Sequence, residues 1–208
     1  PTHKWVKQAQ QWEHAVQSYL ASTSFVDHQI GRVLAALDDS PCRNNTVIVL
    51  FADHGFHLGE YGLWSKMTLF DASTRVPFMV ATPGLKGPGT PTRRLSEHVD
   101  IYPTLCELCG LSLPEGLEGT SLVPLLQDAD RPWKQAVFSQ IRRGDVTGRL
   151  VRTEQWHYIF WEGTGEEELY ATESDPHQIH DLSIQQAETV TEMRDILQAG
   201  WKAARPST

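Results

Sequence analysis

Residues 47–55 read VIVLFADHG, and the first six of them form the longest unbroken apolar run in the chain. The run is rich in β-branched residues and apolar at every position, which is typical of a strand packed on both faces. Upstream, residues 8–39 place apolar side chains mostly at i, i+3 and i+4 spacing, which predicts a long helix with one buried face. A helix that leads into a doubly buried strand predicts an α/β fold with a parallel sheet.

Further along the chain the pattern predicts a second strand, a Gly- and Pro-rich loop and a helix, over residues 76–81, 84–94 and 99–110. The last third changes character, because short alternating runs there predict a small antiparallel sheet, at 136–141, 148–153 and 156–161. A helical pattern closes the chain over 185–204. We therefore predict an α/β part over residues 1–130 and a smaller α+β lobe over 131–208.

Composition excludes several classes of protein. The chain has 208 residues, 40% of them apolar, and a formal net charge of −8, so it is neither disordered nor collagen-like. Because a membrane span needs roughly 20 apolar residues, no span is predicted, and the acidic balance argues against a nucleic-acid binder. The cysteines are Cys42, Cys106 and Cys109. We interpret the 106–109 pair as small core residues of a helix and not as half of a zinc site.

Asp53 and His54 end the apolar run side by side. Ligands of open α/β sheets bind at the carboxyl ends of strands, so these are the first candidates for chemistry. A carboxylate favours a hard cation such as Ca²⁺, and an imidazole beside it also suits Zn²⁺ or Mn²⁺. Gly55 then allows the backbone to turn. The alternative is an ordinary turn, since Asp-x-Gly is a common start of a loop.

Lys66 ends the loop that follows, two residues after the aromatic Trp64. A single lysine after a metal motif can hold an anion as a compact point charge. The alternative is a solvated lysine without a role.

Residues 47–84, VIVLFADHGFHLGEYGLWSKMTLFDASTRVPFMVATPG, resemble the metal-and-lysine region of sulfatases in the alkaline phosphatase superfamily. They are most similar to the iduronate-2-sulfatase subfamily, and the choline sulfatases carry a similar series. Five elements match in order: DHG, LGE, W-x-K, F-[DE] and T-x-VP, at 53–55, 58–60, 64–66, 70–71 and 74–77. The upstream helix and the C-terminal ELYATESDPHQIHDL are also similar to these enzymes, so the resemblance covers about residues 8–200.

The resemblance implies the C-terminal part of an alkaline-phosphatase-like sandwich, with a mostly parallel sheet and flanking helices, followed by the small antiparallel lobe. It implies a sulfuric ester hydrolase acting on a sulfated small molecule or oligosaccharide, such as 2-sulfo-iduronate in glycosaminoglycans. Asp53 and His54 would be ligands of Ca²⁺, and Lys66 would contact the sulfate and stabilise its charge. A periplasmic, secreted or lysosomal location is expected from the family, although the chain itself leaves the compartment open.

The sequence also departs from the family. Sulfatases use a formylglycine made from the cysteine of a C-x-P-S-R motif, and none of the three cysteines lies in one. We therefore expect the formylglycine on a missing N-terminal half of the same enzyme, which would be the partner of this chain. The isolated chain is predicted to be inactive.

Weaker candidates for substrate contact are His57 and Arg75, and also Arg149 and Arg152 in the small lobe. His57 fits a packed loop position equally well, and each arginine fits a salt bridge. The alternative functions are a choline-sulfatase-like enzyme, a phosphonate or phosphate monoester hydrolase of the same superfamily, and a non-catalytic remnant of the fold.

Overall fold

The computed structural model of the chain describes residues 2–85 and 89–206, so residues 86–88 of the predicted 84–94 loop lie outside the described part. The described residues contain six α-helices: α1 (His3–Gln8), α2 (Trp12–Asp38), α3 (Asp71–Thr74), α4 (Ile101–Leu108), α5 (Val123–Gln127) and α6 (Ala187–Ala203). They contain eight strands: β1 (Ile48–Phe51), β2 (His57–Leu58), β3 (Trp64–Ser65), β4 (Phe78–Ala81), β5 (Val137–Arg143), β6 (Val146–Arg152), β7 (Trp156–Glu162) and β8 (Glu167–Ala171).

The chain divides into two compact units. Unit 1 comprises Pro1–Met67 and Arg75–Pro83, and unit 2 comprises Thr68–Thr74 and Gly84–Thr208. Each unit is described below by itself. The division of the sequence at residues 130 and 131 stays a prediction.

Unit 1 opens with two helices where the sequence pattern predicted one. α1 and α2 are separated at Ala9–Gln11, where Gln10 has φ 52°, in the left-handed region that a helix cannot continue through. α2 then runs for 27 residues, none of which is buried. The predicted amphipathic pattern is therefore present, but the predicted burial of its apolar face is not observed in this chain.

β1 and β4 confirm the two predicted strands of unit 1, with a different pairing. They are antiparallel, in a register from Ile48 opposite Ala81 to Phe51 opposite Phe78. Among the described residues each has a partner on one edge only. The prediction that β1 is buried on both faces is wrong for this chain, because its first three residues are partly buried and Phe51 is exposed.

A short hairpin follows the first strand of unit 1. β2 pairs with β3 so that His57 lies opposite Ser65 and Leu58 opposite Trp64. The turn between them is closed by a hydrogen bond of 2.9 Å from the Gly59 N–H to the carbonyl of Leu63. The hairpin places Lys66 directly after its second strand.

Unit 2 contains the predicted antiparallel sheet and closing helix. β5, β6, β7 and β8 pair in sequence order, each antiparallel to the next. The main core lies between this sheet and α6, and its buried members are Ala136, Val151, Tyr158, Leu169, Val190, Met193 and Ala204. The alternating and helical patterns of the last third predicted this packing because each puts its apolar residues on one face.

Unit 2 also holds a buried ionic group at the start of α4. The ammonium of Lys134 lies 2.7 Å from carboxylate oxygens of both Glu97 and Asp100, and Asp100 is fully buried. Cys106 of α4 is buried, but Cys109, which follows the end of that helix, is exposed. The predicted core pair is therefore correct for Cys106 and wrong for Cys109. No helix among the described residues is long and apolar enough to cross a membrane.

Candidate active site

Asp53 and His54 follow the end of β1 after one intervening residue, Ala52, as the sequence predicted. The Asp53 carboxylate is 81% exposed, and one of its oxygens accepts the backbone N–H of His54 over 3.1 Å. Its other oxygen lies 3.3 Å from Nε2 of His54. The two side chains therefore converge on one point in front of the strand.

The imidazole of His54 is oriented by the backbone carbonyl of the next residue. Its Nδ1 lies 2.8 Å from the carbonyl of Gly55, so Nδ1 carries the proton and Nε2 carries the lone pair. The ammonium of Lys66 donates to that Nε2 over 2.6 Å. Residues 12 positions apart are brought together in this way, and a carboxylate, an imidazole and an ammonium share one surface of unit 1.

Asp53 and His54 fit a divalent cation as two of its ligands. A carboxylate oxygen and a ring nitrogen 3.3 Å apart can both reach one ion, and both donor types bind divalent metals. Within the described part of the chain no group of three or more His, Cys, Asp or Glu side chains is arranged to hold a metal. The described part of the chain thus supplies two side-chain ligands of these types at this point, fewer than the roughly six to eight that Ca²⁺ ordinarily takes.

His57 and Arg75 are not gathered with those three residues by any described contact. His57 is 0% exposed, with Nδ1 3.8 Å from Glu60 and its ring edge-on to Tyr61, which agrees with the packed alternative. Arg75 is exposed, ahead of β4. Substrate contact by either residue stays a prediction.

The two arginines of unit 2 form the salt bridges that were the alternative to substrate contact. Arg149 pairs with Glu162 across neighbouring strands, and both side chains are partly exposed. Arg152 pairs with Asp71 in a largely buried contact. Glu60 also has a local role, because its carboxylate accepts the N–H of Leu58 over 2.6 Å.

The sequence did not predict the cluster around Asp71. His157 is buried, with Nδ1 3.2 Å from Asp71 and Nε2 2.9 Å from the carbonyl of Leu69, and Gln178 accepts the Asp71 N–H over 2.6 Å. Burial alone would raise the pKa of Asp71, but hydrogen bonds from His157 and Arg152 outweigh it and hold that pKa at about 2. The only signal in the sequence was the place of Asp71 in the 47–84 series, which did not indicate its distant partners.

Comparison with known proteins places this geometry in a family. The family description "Sulfatase" matches residues 1–111, more than half of the chain. The chain belongs to the sulfatase family. A second description, of the C-terminal part of N-sulphoglucosamine sulphohydrolase, matches residues 59–203. Together the two cover nearly the whole chain, as the sequence resemblance predicted.

Two curated relatives show how much of a sulfatase is present. A sulfatase of Formosa agariphila is 36% identical over 178 residues, which are 86% of this chain and 34% of the relative. The iduronate 2-sulfatase of Mus musculus is 32% identical, covering 77% of this chain and 40% of the relative. The chain thus spans well under half the length of these sulfatases, and its predicted likeness to the C-terminal part and to iduronate-2-sulfatase is confirmed.

A solved structure confirms the predicted fold class. A 2-O GAG sulfatase superposes with a TM-score of 0.83 at 29% identity, covering 90% of this chain and 43% of that protein. The chain therefore has the fold of the C-terminal part of a sulfatase, with the small antiparallel lobe that the sequence predicted.

Proposed function

We propose that this chain is part of a sulfuric ester hydrolase and supplies part of its metal and sulfate site. The observation that supports this most is the convergence of Asp53, His54 and Lys66, with Lys66 Nζ 2.6 Å from His54 Nε2. A carboxylate, an imidazole and an ammonium that lie together just after the ends of β1 and β3 suit the binding of an anionic ester beside a cation.

Lys66 is the residue that acts on the sulfate group. Its ammonium has three N–H donors, of which one is used on His54, so two remain for oxygens of the sulfuryl group. Cleavage of a sulfate ester places negative charge on those oxygens and on the leaving oxygen, and a fixed positive charge stabilises that change.

Asp53 and His54 are proposed to hold the divalent cation, Ca²⁺ by analogy with the family, as two of several ligands. When bound, such an ion would add positive charge next to the sulfate. The Gly55 carbonyl fixes the proton of His54 on Nδ1, which leaves the lone pair on Nε2. An ion bound there would take that lone pair in place of the hydrogen bond from Lys66.

The nucleophile is proposed to lie outside this chain. The three cysteines are not in a C-x-P-S-R context, so a formylglycine would have to come from the rest of the enzyme. The isolated chain is accordingly proposed to be inactive, and its partner would be the remainder of the sulfatase fold.

Exposed apolar surface in unit 1 supports the proposal that the remainder of the enzyme packs against this chain. Leu20, Phe25 and Val33 of α2 are 57%, 66% and 69% exposed, although a helix with this amphipathic pattern ordinarily buries its apolar face. β1 and β4 also each have a strand neighbour on one edge only among the described residues. An exposed apolar helix face and an isolated two-stranded sheet are each typical of a surface that another segment covers.

The substrate is proposed to be a sulfated sugar such as 2-sulfo-iduronate. This rests on the relatives, since one is named an iduronate 2-sulfatase and one solved neighbour a 2-O GAG sulfatase. The alternative substrates are choline sulfate and phosphonate or phosphate monoesters. A further alternative is that the protein is a non-catalytic remnant of the fold.

The test is sulfate release by the full-length protein that contains this chain, measured on a panel of sulfated disaccharides, choline sulfate and a phosphonate monoester. We expect turnover of a sulfated sugar that falls by a factor of at least about 100 in Lys66→Ala. Lys7→Ala, which removes an exposed lysine of α1, is the matched control and should behave as the wild type. Preferred turnover of the phosphonate ester, or no turnover of any ester, would count against the proposal.

A further inference from the structure

Three aromatic side chains of unit 1 meet beside the hairpin β2–β3. The ring of His3 lies edge-on to the indole of Trp12, with centroids 5.0 Å apart. Trp12 lies edge-on to Trp64, with centroids 5.8 Å apart. Trp64 Nε1 donates a hydrogen bond to Nδ1 of His3 over 3.2 Å, which links the first ring to the third. These three side chains, from α1, α2 and β3, are called the ring cluster below.

The hairpin reaches the ring cluster only because residue 59 has no side chain. A Cβ added to Gly59 would lie 2.4 Å from Cζ2 and 2.8 Å from Cε2 of Trp12, closer than real Cβ atoms approach other heavy atoms. The backbone of Gly59 also has φ +110°, which L side chains rarely adopt. The close approach and the backbone angle therefore both require glycine.

The ring cluster holds the chain just before Lys66. Trp64 is two residues from Lys66, and the residue between them, Ser65, has φ 77°. A non-glycine residue keeps this conformation only where its surroundings hold it there. For Ser65 the surroundings are the pairing with His57 on one side and the anchored Trp64 on the other.

We propose that His3, Trp12, Trp64 and Gly59 are positioning residues for Lys66. By fixing the hairpin against α1 and α2, they set where the Lys66 backbone leaves β3 and keep its ammonium within 2.6 Å of His54. The consequence for catalysis rests on the proposed function, whereas the effect on the position of Lys66 does not. A displacement of about 1 Å of a catalytic group can lower a rate about 100-fold, so small shifts of the hairpin matter.

The position of Lys66 is tested by NMR on the 208-residue chain. Gly59→Ala should shift the side-chain signals of Lys66 and His54, because the added methyl group displaces the hairpin from Trp12. Gly163→Ala is the matched control, since Gly163 has φ +96° but an added Cβ there meets nothing within 4 Å. It should leave both signals unchanged.

Catalysis is tested in the full-length protein with a double-mutant cycle. Gly59→Ala should lower kcat/KM by roughly 10- to 100-fold, mainly through kcat, and should have little further effect in the Lys66→Ala background. If Gly59→Ala does not fold, Trp64→Phe, which removes only the hydrogen bond to His3 and part of the ring, takes its place.

The outcomes separate this inference from the function on which it builds. Unchanged Lys66 and His54 signals in Gly59→Ala, or an equal loss of activity with and without Lys66, would overturn the positioning role. If Gly59→Ala shifts the signals but Lys66→Ala leaves the activity of the enzyme unchanged, the positioning role would be supported and the proposed function refuted.

Discussion

His157 Nδ1 lies 3.2 Å from a carboxylate oxygen of Asp71. Arg152 pairs with the same oxygen, so one carboxylate is shared by two donors from neighbouring strands of the unit 2 sheet. The Asp71 side chain is only 15% exposed, and its pKa of about 2 lies below the ordinary value of 3.8. The cluster therefore links the 68–74 segment to the sheet through charge as well as through packing.

The first prediction concerns acid stability. Because the pKa of Asp71 is lowered on folding, its contribution is complete above about pH 5 and is lost as the pH falls through 3.8 toward 2. The shift corresponds to about 2 kcal/mol, so Asp71→Asn should lose about that much free energy of unfolding at pH 7. The two proteins should differ much less near pH 2. Urea unfolding across this pH range measures it.

Asp145→Asn is the control for that experiment, because Asp145 is fully exposed and its carboxylate lies 3.7 Å from Arg142. It should follow the wild type at every pH. Parallel stability curves for wild type and Asp71→Asn between pH 7 and pH 2 would contradict the role assigned to Asp71.

The second prediction concerns the buried ionic group of unit 2. Lys134→Met should lower the free energy of unfolding by about 3–5 kcal/mol, because it leaves the buried Asp100 without its counter-charge. Arg142→Met breaks an exposed pair and should cost about 1 kcal/mol or less. Chemical unfolding monitored by tryptophan fluorescence compares them. Equal losses for the two variants would mean that burial does not strengthen the Lys134 interaction.

The third prediction concerns metal. The full-length protein should retain a divalent cation through gel filtration, and Asp53→Ala should reduce that content, since a carboxylate ligand is removed. Asp39→Ala, at the C-terminal end of α2, is the control because its residue lies outside the proposed site. Elemental analysis gives the metal-to-protein ratio directly. A ratio that Asp53→Ala leaves unchanged would exclude Asp53 as a ligand.

The fourth prediction concerns the exposed apolar face of α2. The isolated chain should bind a hydrophobic dye and associate as its concentration rises, because large apolar side chains of this helix are exposed. Replacing Leu20 and Val33 together by lysine should reduce both effects. Replacing the exposed Glu13 by lysine changes the charge of the same helix, and it should leave dye binding and association unchanged. Dye fluorescence and light scattering measure the two properties, and an isolated chain that stays monomeric without binding dye would contradict this assignment.

The elements of unit 2 could be predicted well because local pattern decides them. The alternating run at 156–161 became β7, and the helical run at 185–204 became α6, since both elements bury one face inside the unit. The same reasoning overestimated the burial of β1 and α2. An apolar pattern indicates that a segment is covered, but it does not say which chain covers it.

The sequence by itself determined the family, the strands and closing helix of the unit 2 sheet, and the adjacent pair Asp53 and His54, because these depend on residues that are close along the chain. It also indicated Lys66, through a series of short motifs in a fixed order. Only the tertiary structure decided that Lys66 donates to His54, that Arg152 and His157 hold Asp71, and that the ring cluster anchors the hairpin before Lys66. Each of these contacts joins residues between 12 and 86 positions apart. Such pairs leave no periodic trace in a sequence, because their geometry is set by the packing of whole elements and not by local backbone preference.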